Sequence, residues 1–553
     1  MLTAGGVQEE TPPEWRLQKR ITLRGQLEAP IIITFSRTAF ARRETRIDRR
    51  RFLGTAALVA AALPAGRLWA DASGAAAVPA TLTAVSGSGK AVTLTAHDIE
   101  DFRAGLRGQL LLAQDPAYDQ ARRIWNGAFD RHPALIARCA STADVVRAVQ
   151  FARSYSLLTA VKGGGHSLSG QSTCEGGLMI DLSPMKGIQV DQARRLAKAQ
   201  PGVLLGELDA KNQAAGLATP LGTASDTGIA GLTLGGGQGR LMRKLGLSCD
   251  NITAFELVTA DGKVLQVSAQ ENPDLFWGLR GGGGNFGIVT SFEYQLHPLA
   301  HPVLGGGRMY PFSQARSVIT AALELADRAP DELFLAVEVV NVTPGSRVPP
   351  GRYVGVEPVY SGMPGDGERL IAPLAKLGKP VMDNIAAMSY LDAQNGPAGG
   401  SPPALPPGLG VYIKTGFLNT FPDQLIGEII HAFNNGPQWL DSIGCLTLAG
   451  SVARVKPDAT AYWNRASKWD LLLSGVWSDH TQDQHNAAVL RDLWKAFEPF
   501  TKGYYVNTDP SADEQRLRAT YGDNYTRLVA LKNKYDPTNL FRLNANIKPT
   551  APV

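Results

Sequence analysis

The pattern of apolar and polar positions predicts an ordered succession of strands and helices from about residue 134 onward. Short apolar runs bounded by glycine or polar residues predict strands at Ala134–Ala137, Leu157–Val161 and Gly177–Leu182. Between the first two runs, Ser141–Ala152 has apolar residues at helical spacing behind a serine. A serine in that place is typical of a capped amphipathic helix.

Further along the chain the same reasoning predicts larger elements. Leu204–Ala214 has a helical pattern, and Ile252–Val267 predicts a hairpin because Asp261-Gly262 supplies a two-residue turn. Gly287–Leu296 alternates as a long strand. Ala512–Tyr535 is strongly helical and stops before Pro537.

Two segments predict little regular structure. Residues 73–110 are small, polar and rich in alanine, which favours a linker that ends in a first helix. The Pro/Gly-rich stretch Gly396–Gly408 lies within a region of mixed strands and helices, and it predicts a surface loop.

The composition and charge describe a globular protein with no nucleic-acid surface. The chain has 553 residues, 44% of them hydrophobic and 19% charged, which suffices for two sizeable domains. The formal net charge is +5, but residues 1–51 carry 11 Lys/Arg against 6 Asp/Glu. The remaining residues carry 44 of each sign. We therefore expect no nucleic acid among the partners.

The basic segment resembles a bacterial twin-arginine export signal. Paired arginines at Arg49-Arg50 precede an apolar run over Phe52–Leu63, and a small-residue cleavage pattern follows at Ala70-Asp71-Ala72. We expect the twin-arginine machinery as a partner and a periplasmic or secreted location. The run is too short for a stable membrane anchor. The alternative is a basic tail with a chance pair of arginines.

The cysteines indicate neither a disulfide framework nor a zinc site. Cys139, Cys174, Cys249 and Cys445 are scattered and form no CxxC pair, so we expect neither a disulfide framework nor bound zinc.

Three glycine clusters indicate a ligand that carries phosphate. They are Gly163–Gly165, Gly235–Gly237 with Gly239, and Gly281–Gly284 with Gly287. Glycine lets the backbone approach a ligand, and successive N–H groups bind phosphate oxygens. The sequence contains no phosphate-binding GxxxxGK[ST] motif and no GxSxG. The GxGxxG pattern in the third cluster enters from a predicted helix and leaves into a strand, which reverses the Rossmann order.

The clusters belong to longer motifs. The sequence contains Gly163-Gly-Gly-His166-Ser167-Leu-Ser-Gly170, then Gly228-Ile-Ala-Gly231, Leu234-Gly-Gly-Gly237-Gln-Gly239 and Gly246-Leu-Ser-Cys-Asp250-Asn251, and finally Tyr535-Asp536-Pro537 and Asn544-Ala-Asn546-Ile547. This series resembles the berberine-bridge-enzyme-like FAD-linked oxidases of the vanillyl-alcohol-oxidase superfamily. The resemblance covers roughly residues 130–300 and 500–550.

The resemblance implies an α+β fold with two domains. The FAD domain, of the PCMH type, would consist of two α/β subdomains, and the substrate domain would carry an antiparallel sheet over the flavin. The expected organisation is a leader at 1–72, a linker and first helix at 73–114, the FAD domain at 115–300, the substrate domain at 301–500, and a C-terminal segment at 501–553 that returns to the FAD domain.

The resemblance also implies how FAD is held. His166 matches the histidine that bonds the 8α-methyl group of the flavin; the alternative is a histidine that only contacts the ring. Many relatives add a cysteine link, but Ala224 occupies that position, so we expect a single covalent bond. The other implied cofactor-binding residues are Gly163, Gly164, Gly165, Ser167, Gly170, Asp226, Thr227, Gly228, Gly231, Leu234, Gly235, Gly236, Gly237, Gly239, Asp250, Ile288, Val289, Tyr505 and Asn507.

The implied chemistry is hydride transfer from a small organic substrate to flavin N5, with O2 as the usual acceptor and hydrogen peroxide as the product. The family's base is often a tyrosine in a Tyr-x-Asn-Tyr pattern. Tyr505 and Asn507 match that pattern, whereas Thr508 replaces the second tyrosine. Tyr505 is the candidate base, although it could instead only pack against the flavin. The open alternatives are a dehydrogenase with another acceptor and a flavin-binding protein without turnover.

Overall fold

The computed structural model describes residues 77–344, 346, 348–395, 408–508 and 513–550. The predicted leader at 1–72 and all of the predicted loop Gly396–Gly408 except Gly408 lie outside these residues. Within the described ranges, no helix has the length and apolar character needed to cross a membrane.

The described residues form 22 strands and 15 α-helices. The strands are β1 (Thr81–Val85), β2 (Ala91–Thr95), β3 (Gln109–Leu111), β4 (Leu135–Arg138), β5 (Thr159–Lys162), β6 (Leu178–Asp181), β7 (Ile188–Asp191), β8 (Leu196–Ala199), β9 (Leu217–Ala218), β10 (Ile252–Val258), β11 (Val264–Ser268), β12 (Ile288–Gln295), β13 (His297–Pro298), β14 (Val303–Gly305), β15 (Arg308–Pro311), β16 (Leu333–Val342), β17 (Gly351–Tyr360), β18 (Met382–Asp383), β19 (Ala386–Met388), β20 (Gly410–Leu418), β21 (Leu440–Thr447) and β22 (Trp469–Trp477). The helices are α1 (Ala96–Ala104), α2 (Tyr118–Arg122), α3 (Thr142–Ser154), α4 (Leu205–Gln213), α5 (Ile229–Leu234), α6 (Met242–Leu245), α7 (Pro273–Leu279), α8 (Ala315–Arg328), α9 (Pro364–Ile371), α10 (Tyr390–Asn395), α11 (Asp423–Asn435), α12 (Ser451–Arg454), α13 (Asp483–Trp494), α14 (Glu514–Tyr521) and α15 (Asn524–Tyr535).

The first sheet contains the strands predicted from the short apolar runs. Its order is β3-β4-β6-β5, with β4, β5 and β6 parallel and β3 antiparallel. Helix α3 begins as predicted, because Ser141 and Asp144 form a capping box in which each side chain accepts the other's backbone N–H. Its buried Val145 and Val149 pack in one core with the strands.

The second sheet is antiparallel in the order β11-β10-β12-β8-β7. It contains the predicted hairpin, β10 with β11, and the predicted long strand as β12. Its core includes Phe255, Phe292 and Tyr294, together with Tyr525 and Leu528 from α15. The C-terminal helix therefore completes the core beneath this sheet.

The structure corrects the linker predicted for residues 73–110. β1 and β2 form an antiparallel hairpin in which Leu82 pairs with Leu94, and α1 follows directly behind a Thr95 capping box. Ala84 and Leu94 are fully buried in the core of the first sheet. The prediction missed the strands because their alternation consists mostly of alanine, valine and threonine, which gives a weak apolar signal. The predicted first helix is present as α1.

The third sheet extends through residues 303–477 in the order β18-β15-β17-β16-β21-β22-β20, with β14 and β19 paired at one side. Neighbouring strands run antiparallel. One face packs against α8, α11 and α13 in a large apolar core. On the opposite face Phe334 and Phe417 pack against Leu241 and Leu247. These contacts join the third sheet to the glycine-rich half of the molecule.

The C-terminal segment returns to the first two sheets. The predicted single helix is two helices, because Gly522 adopts a φ of +48° and ends α14. In the last turn of α15, the fully buried Lys532 ammonium donates hydrogen bonds to the Asp536 carboxylate at 2.7 Å and to the Asn285 and Phe541 carbonyls at 2.9 Å. This network holds the segment against the third glycine cluster.

Candidate active site

Two chain segments form the walls of a cleft beside His166. Residues 163–169 follow β5, residues 223–227 precede α5, and both segments are partly exposed. They meet where Gly164 lies against Gly228, because a Cβ built on Gly164 would lie 2.5 Å from the Gly228 Cα. Only glycine permits this approach of the two backbones. The predicted residues Gly163 to Ser167 and Asp226 to Gly228 therefore come together.

The first wall presents unused backbone donors. Among the described residues, none accepts a hydrogen bond from the backbone N–H groups of residues 163–169. The Ser167 hydroxyl accepts the Gln171 N–H at 3.1 Å and shapes the turn that contains Gly170. A row of free N–H groups in glycine-rich backbone suits the oxygens of a pyrophosphate.

His166 is held in place from two sides. Its ring stacks on the Trp125 ring with centroids 4.5 Å apart, and the Trp125 backbone N–H donates to the Gly165 carbonyl. On the other wall, Asp226 Oδ1 lies 3.5 Å from His166 Nε2. The contact with His166 lowers the pKa of Asp226, so that carboxylate is charged at neutral pH. Nδ1 is therefore the ring nitrogen that does not face Asp226.

The second and third glycine clusters meet at the end of α5. The N–H groups of Gly281 and Gly283 both donate to the Leu234 carbonyl, at 3.0 and 2.9 Å. The Leu234 side chain is buried in the core of the second sheet. Gly235, Gly236, Gly237 and Gly239 follow as closely packed backbone, whereas a Cβ at Gly231 would meet nothing within 4 Å. Gly231 is thus the predicted glycine of this motif that faces open space.

Tyr505 and Asn507 hold the second glycine cluster. The Tyr505 hydroxyl oxygen accepts the Gly237 and Gln238 N–H groups at 3.1 and 3.2 Å and the Asn507 side-chain amide at 2.8 Å. Burial raises the pKa of Tyr505 to about 12. Thr508 donates its hydroxyl hydrogen to the Tyr505 carbonyl at 2.9 Å. These contacts give the Tyr-x-Asn pattern a structural role in this chain.

Three residues predicted to bind the cofactor have side chains engaged elsewhere. The Asp250 carboxylate makes two 2.7 Å hydrogen bonds to the buried Arg465 guanidinium and accepts the Leu247 N–H. This ion pair gives the Asp250 side chain a structural role in this chain. Ile288 and Val289 point into the cores of the first and second sheets. The side chains of these three residues are thus engaged within the protein, and their contact with the cofactor stays a prediction.

The sequence reasoning missed Trp125, because an isolated tryptophan outside a motif gives no signal of what it will face. Its contact with His166 depends on strand β20, since the Asn126 side-chain amide donates to the Val411 carbonyl at 2.8 Å and accepts the Val411 N–H. Asn126 and Val411, which are 285 positions apart in the chain, are thus hydrogen-bonded to each other beside the site.

The residues present fit FAD. The cleft offers free N–H groups for phosphate oxygens, and its polar atoms include the buried Ser225 hydroxyl, which has no hydrogen-bond partner among the described residues. The exposed Gly231, three residues after the Gly228 contact with Gly164, leaves open space for a ligand. The fold and this cleft define a FAD-linked oxidoreductase.

Comparison with known proteins agrees. A family model for a FAD binding domain matches residues 133–268, and a model described as berberine and berberine-like matches residues 504–548. A FAD-linked oxidoreductase of Dictyostelium discoideum is 32% identical over 82% of this chain and 97% of its own length. (R)-6-hydroxynicotine oxidase of Paenarthrobacter nicotinovorans is 32% identical over 80% of this chain and 97% of its own.

The solved structures include a similar enzyme. The crystal structure of 6-hydroxy-D-nicotine oxidase from Arthrobacter nicotinovorans aligns with a TM-score of 0.72 and 30% identity, and covers 80% of this chain and 98% of that one. The protein belongs to the berberine-bridge-enzyme-like family of FAD-linked oxidoreductases. The expected α+β fold with an antiparallel substrate sheet is confirmed.

Proposed function

We propose that this enzyme oxidises a small organic substrate at a carbon next to nitrogen or oxygen and passes the electrons to O2, which yields hydrogen peroxide. Bound FAD supplies the hydride acceptor. The observation that carries the proposal is the cleft in which free N–H groups, His166 and Asp226 lie together. The 6-hydroxynicotine oxidase among the relatives supports an oxidase.

We further propose a single covalent bond between His166 and the flavin 8α-methyl group. Asp226 faces Nε2, which favours the tautomer with its proton on Nε2 and leaves the Nδ1 lone pair free as the nucleophile. Trp125 fixes the plane of the ring by stacking. Ala224 stands where relatives have a second attachment residue, which supports one bond rather than two.

The proton acceptor in this proposal is not Tyr505. Its oxygen already accepts three hydrogen bonds, and a pKa of about 12 leaves almost no phenolate near neutral pH. The buried Asp470 raises the pKa of Tyr505 further. Amine substrates would need no such base at the oxidised carbon, because the nitrogen lone pair assists hydride loss directly.

The test uses purified holoenzyme mixed without air with a panel of cyclic amines and sugars. We expect one class to bleach the yellow flavin, and admitted O2 to restore the colour with one equivalent of hydrogen peroxide. Bleaching without reoxidation by O2 would assign a dehydrogenase with another acceptor. A flavin that no panel member reduces would contradict the proposed oxidase activity towards these substrates.

We also propose export through the twin-arginine route, supported by Arg49-Arg50 and the apolar run that follows. Changing both arginines to lysine keeps the charge and removes the pair. In a bacterial host with that route, we expect the double variant to stay in the cytoplasm while the unchanged chain reaches the periplasm, measured by fractionation and immunoblotting. Changing Arg42 and Arg43 to lysine is the matched control. Equal export of both variants would contradict the proposal.

A further inference from the structure

The third sheet presents a carboxylate-rich strip to the glycine-rich half of the molecule. Strand register sets residues in rows across β17, β16, β21, β22 and β20, on the face opposite the α8–α11–α13 core. The rows are Tyr353, Val340, Ser442, Ser474 and Ile413; Gly355, Glu338, Gly444, Leu472 and Thr415; and Glu357, Ala336, Leu446, Asp470 and Phe417. These fifteen described positions include three acidic residues and no lysine, arginine or histidine.

Two contact zones border the first two rows. In the third row, Phe417 packs with Tyr462 in the apolar contact between the third sheet and the glycine-rich half. At the other side, Val411 is anchored to Asn126, next to the Trp125 that stacks on His166. Glu338 and Leu472 between these zones are partly exposed. The first two rows therefore line a cleft that opens between the two anchored regions.

Glu338 lies at the centre of this cleft, and both of its cross-strand neighbours are glycines, which have no side chain. Gly355 and Gly444 flank it across β17 and β21, and a Cβ on Gly444 would lie 2.4 Å from the Glu338 Cβ. Within the described part of the chain, no hydrogen bond or ion pair reaches its carboxylate. Because Glu338 is partly exposed and no described residue pairs with it, its carboxylate is free to bind a ligand.

The charges around Glu338 favour a cation. Burial raises the pKa of Glu338 to about 8, and repulsion from Glu357 and Asp441 adds to the rise. Arg240 is paired with Glu357, and Asp470 lies one row away with its pKa raised by burial to about 7. A bound cation would relieve this repulsion, whereas a neutral ligand would leave it in place.

We infer that Glu338 is the specificity-determining residue of the substrate cleft: its carboxylate binds the protonated nitrogen of an amine substrate and takes up that proton, which leaves the nitrogen lone pair that assists hydride loss. This inference rests on the proposed oxidase function and narrows it to amines. Leu472 lies two strands from Glu338, across the bare Gly444, and supplies an apolar contact for the carbon ring or chain next to the nitrogen. Glu357 cannot take the same role, because Arg240 already occupies it at 2.6 Å.

The probe is N,N-dimethylpyrrolidinium, whose charge is permanent and which no hydride loss can consume. Calorimetric titration of the holoenzyme measures its Kd for the unchanged chain and for Glu338→Gln, which keeps the shape and removes the charge. We expect Glu338→Gln to raise the Kd at least about thirtyfold. The matched control is Glu324→Gln on the outer surface of α8, which should leave the Kd unchanged.

The pH dependence gives a second readout that a merely structural role would not move. The cation competes with the proton on Glu338, so the Kd of the unchanged chain should fall at least about tenfold between pH 6 and pH 8. The groups facing Glu338 are Glu357 with its partner Arg240, Asp441 and Asp470. Glu338→Gln should remove most of this fall of the Kd with pH. The pH dependence that remains reports the titration of these neighbouring groups.

The outcomes separate this inference from the proposed function. Equal cation affinity in Glu338→Gln and the unchanged chain, with flavin bound in both, would overturn the role of Glu338 and leave the oxidase proposal standing. Binding and oxidation of glucose with no affinity for the cation would overturn the amine class. A protein without flavin that still binds the cation through Glu338 would support the inference and count against the oxidase.

Discussion

Replacing His166 with alanine is expected to move the flavin from the acid-denatured pellet to the supernatant. In the unchanged chain the proposed bond to the 8α-methyl group keeps the yellow colour with the precipitated protein. An 8α-histidyl bond withdraws electron density from the flavin and raises its potential. We therefore expect the variant to retain some dissociable FAD and to lose at least about tenfold in kcat, equivalent to about 1.4 kcal/mol.

Two variants sharpen that experiment. His431→Ala changes an exposed histidine on α11 and should leave all flavin in the pellet. Asp226→Asn keeps the size of the side chain but removes the charge at 3.5 Å from Nε2, so it should give a mixture of bound and released flavin. Flavin in the supernatant for the unchanged chain would refute the covalent bond. Flavin in the pellet for His166→Ala would place the bond on another residue.

Replacing Lys532 with methionine is expected to cause the largest loss of stability among the changes considered. The ammonium is fully buried and donates to Asp536, Asn285 and Phe541, so methionine leaves a buried carboxylate without its cation and two carbonyls without a donor. Breaking a buried pair by removing one partner costs about 3–5 kcal/mol. The measurement is the thermal midpoint at one fixed scan rate, where we expect a drop of about 3–5 °C.

The chain contains a matched control two residues away. Lys534 pairs with Asp274 at 2.7 Å on the surface, where the lysine side chain is 60% exposed. Exposed pairs of this kind contribute about 0–1 kcal/mol, so Lys534→Met should shift the midpoint by no more than about 1 °C. Similar shifts for both variants would show that burial of the Lys532 network does not stabilise the C-terminal segment.

The elements predicted correctly are those whose signal is local. Ser141 and Asp144 define the start of α3 because the capping box needs only residues three apart. The Asp261-Gly262 turn does the same for the hairpin of β10 and β11. The hairpin of β1 and β2 was missed because its burial depends on a core contributed by later residues. Local pattern carries no information on that core.

The candidate site also has a part that could be predicted from local sequence and a part that could not. The glycine loops and His166 could be found from the sequence because their spacing is part of a motif. The partners of those residues could not, since Asp250 meets Arg465 across 215 positions and Trp125 gives no pattern at all. Glu338 reads in the sequence as one charged position in an alternating strand. Its importance comes from Gly355 and Gly444, which strand register places beside it.

Contacts between the start and the end of the chain also determine how long the FAD domain stays incomplete during synthesis. The Gln171 amide donates to the Asn544 carbonyl, 373 positions later, and Leu540 and Phe541 complete the core of the first sheet. At a synthesis rate of about 5–20 residues per second, the His166 loop waits roughly 20–75 seconds for that partner. During this interval the first sheet has an open apolar core. The core beside the His166 loop is therefore complete only after residues 540–544 have been synthesised.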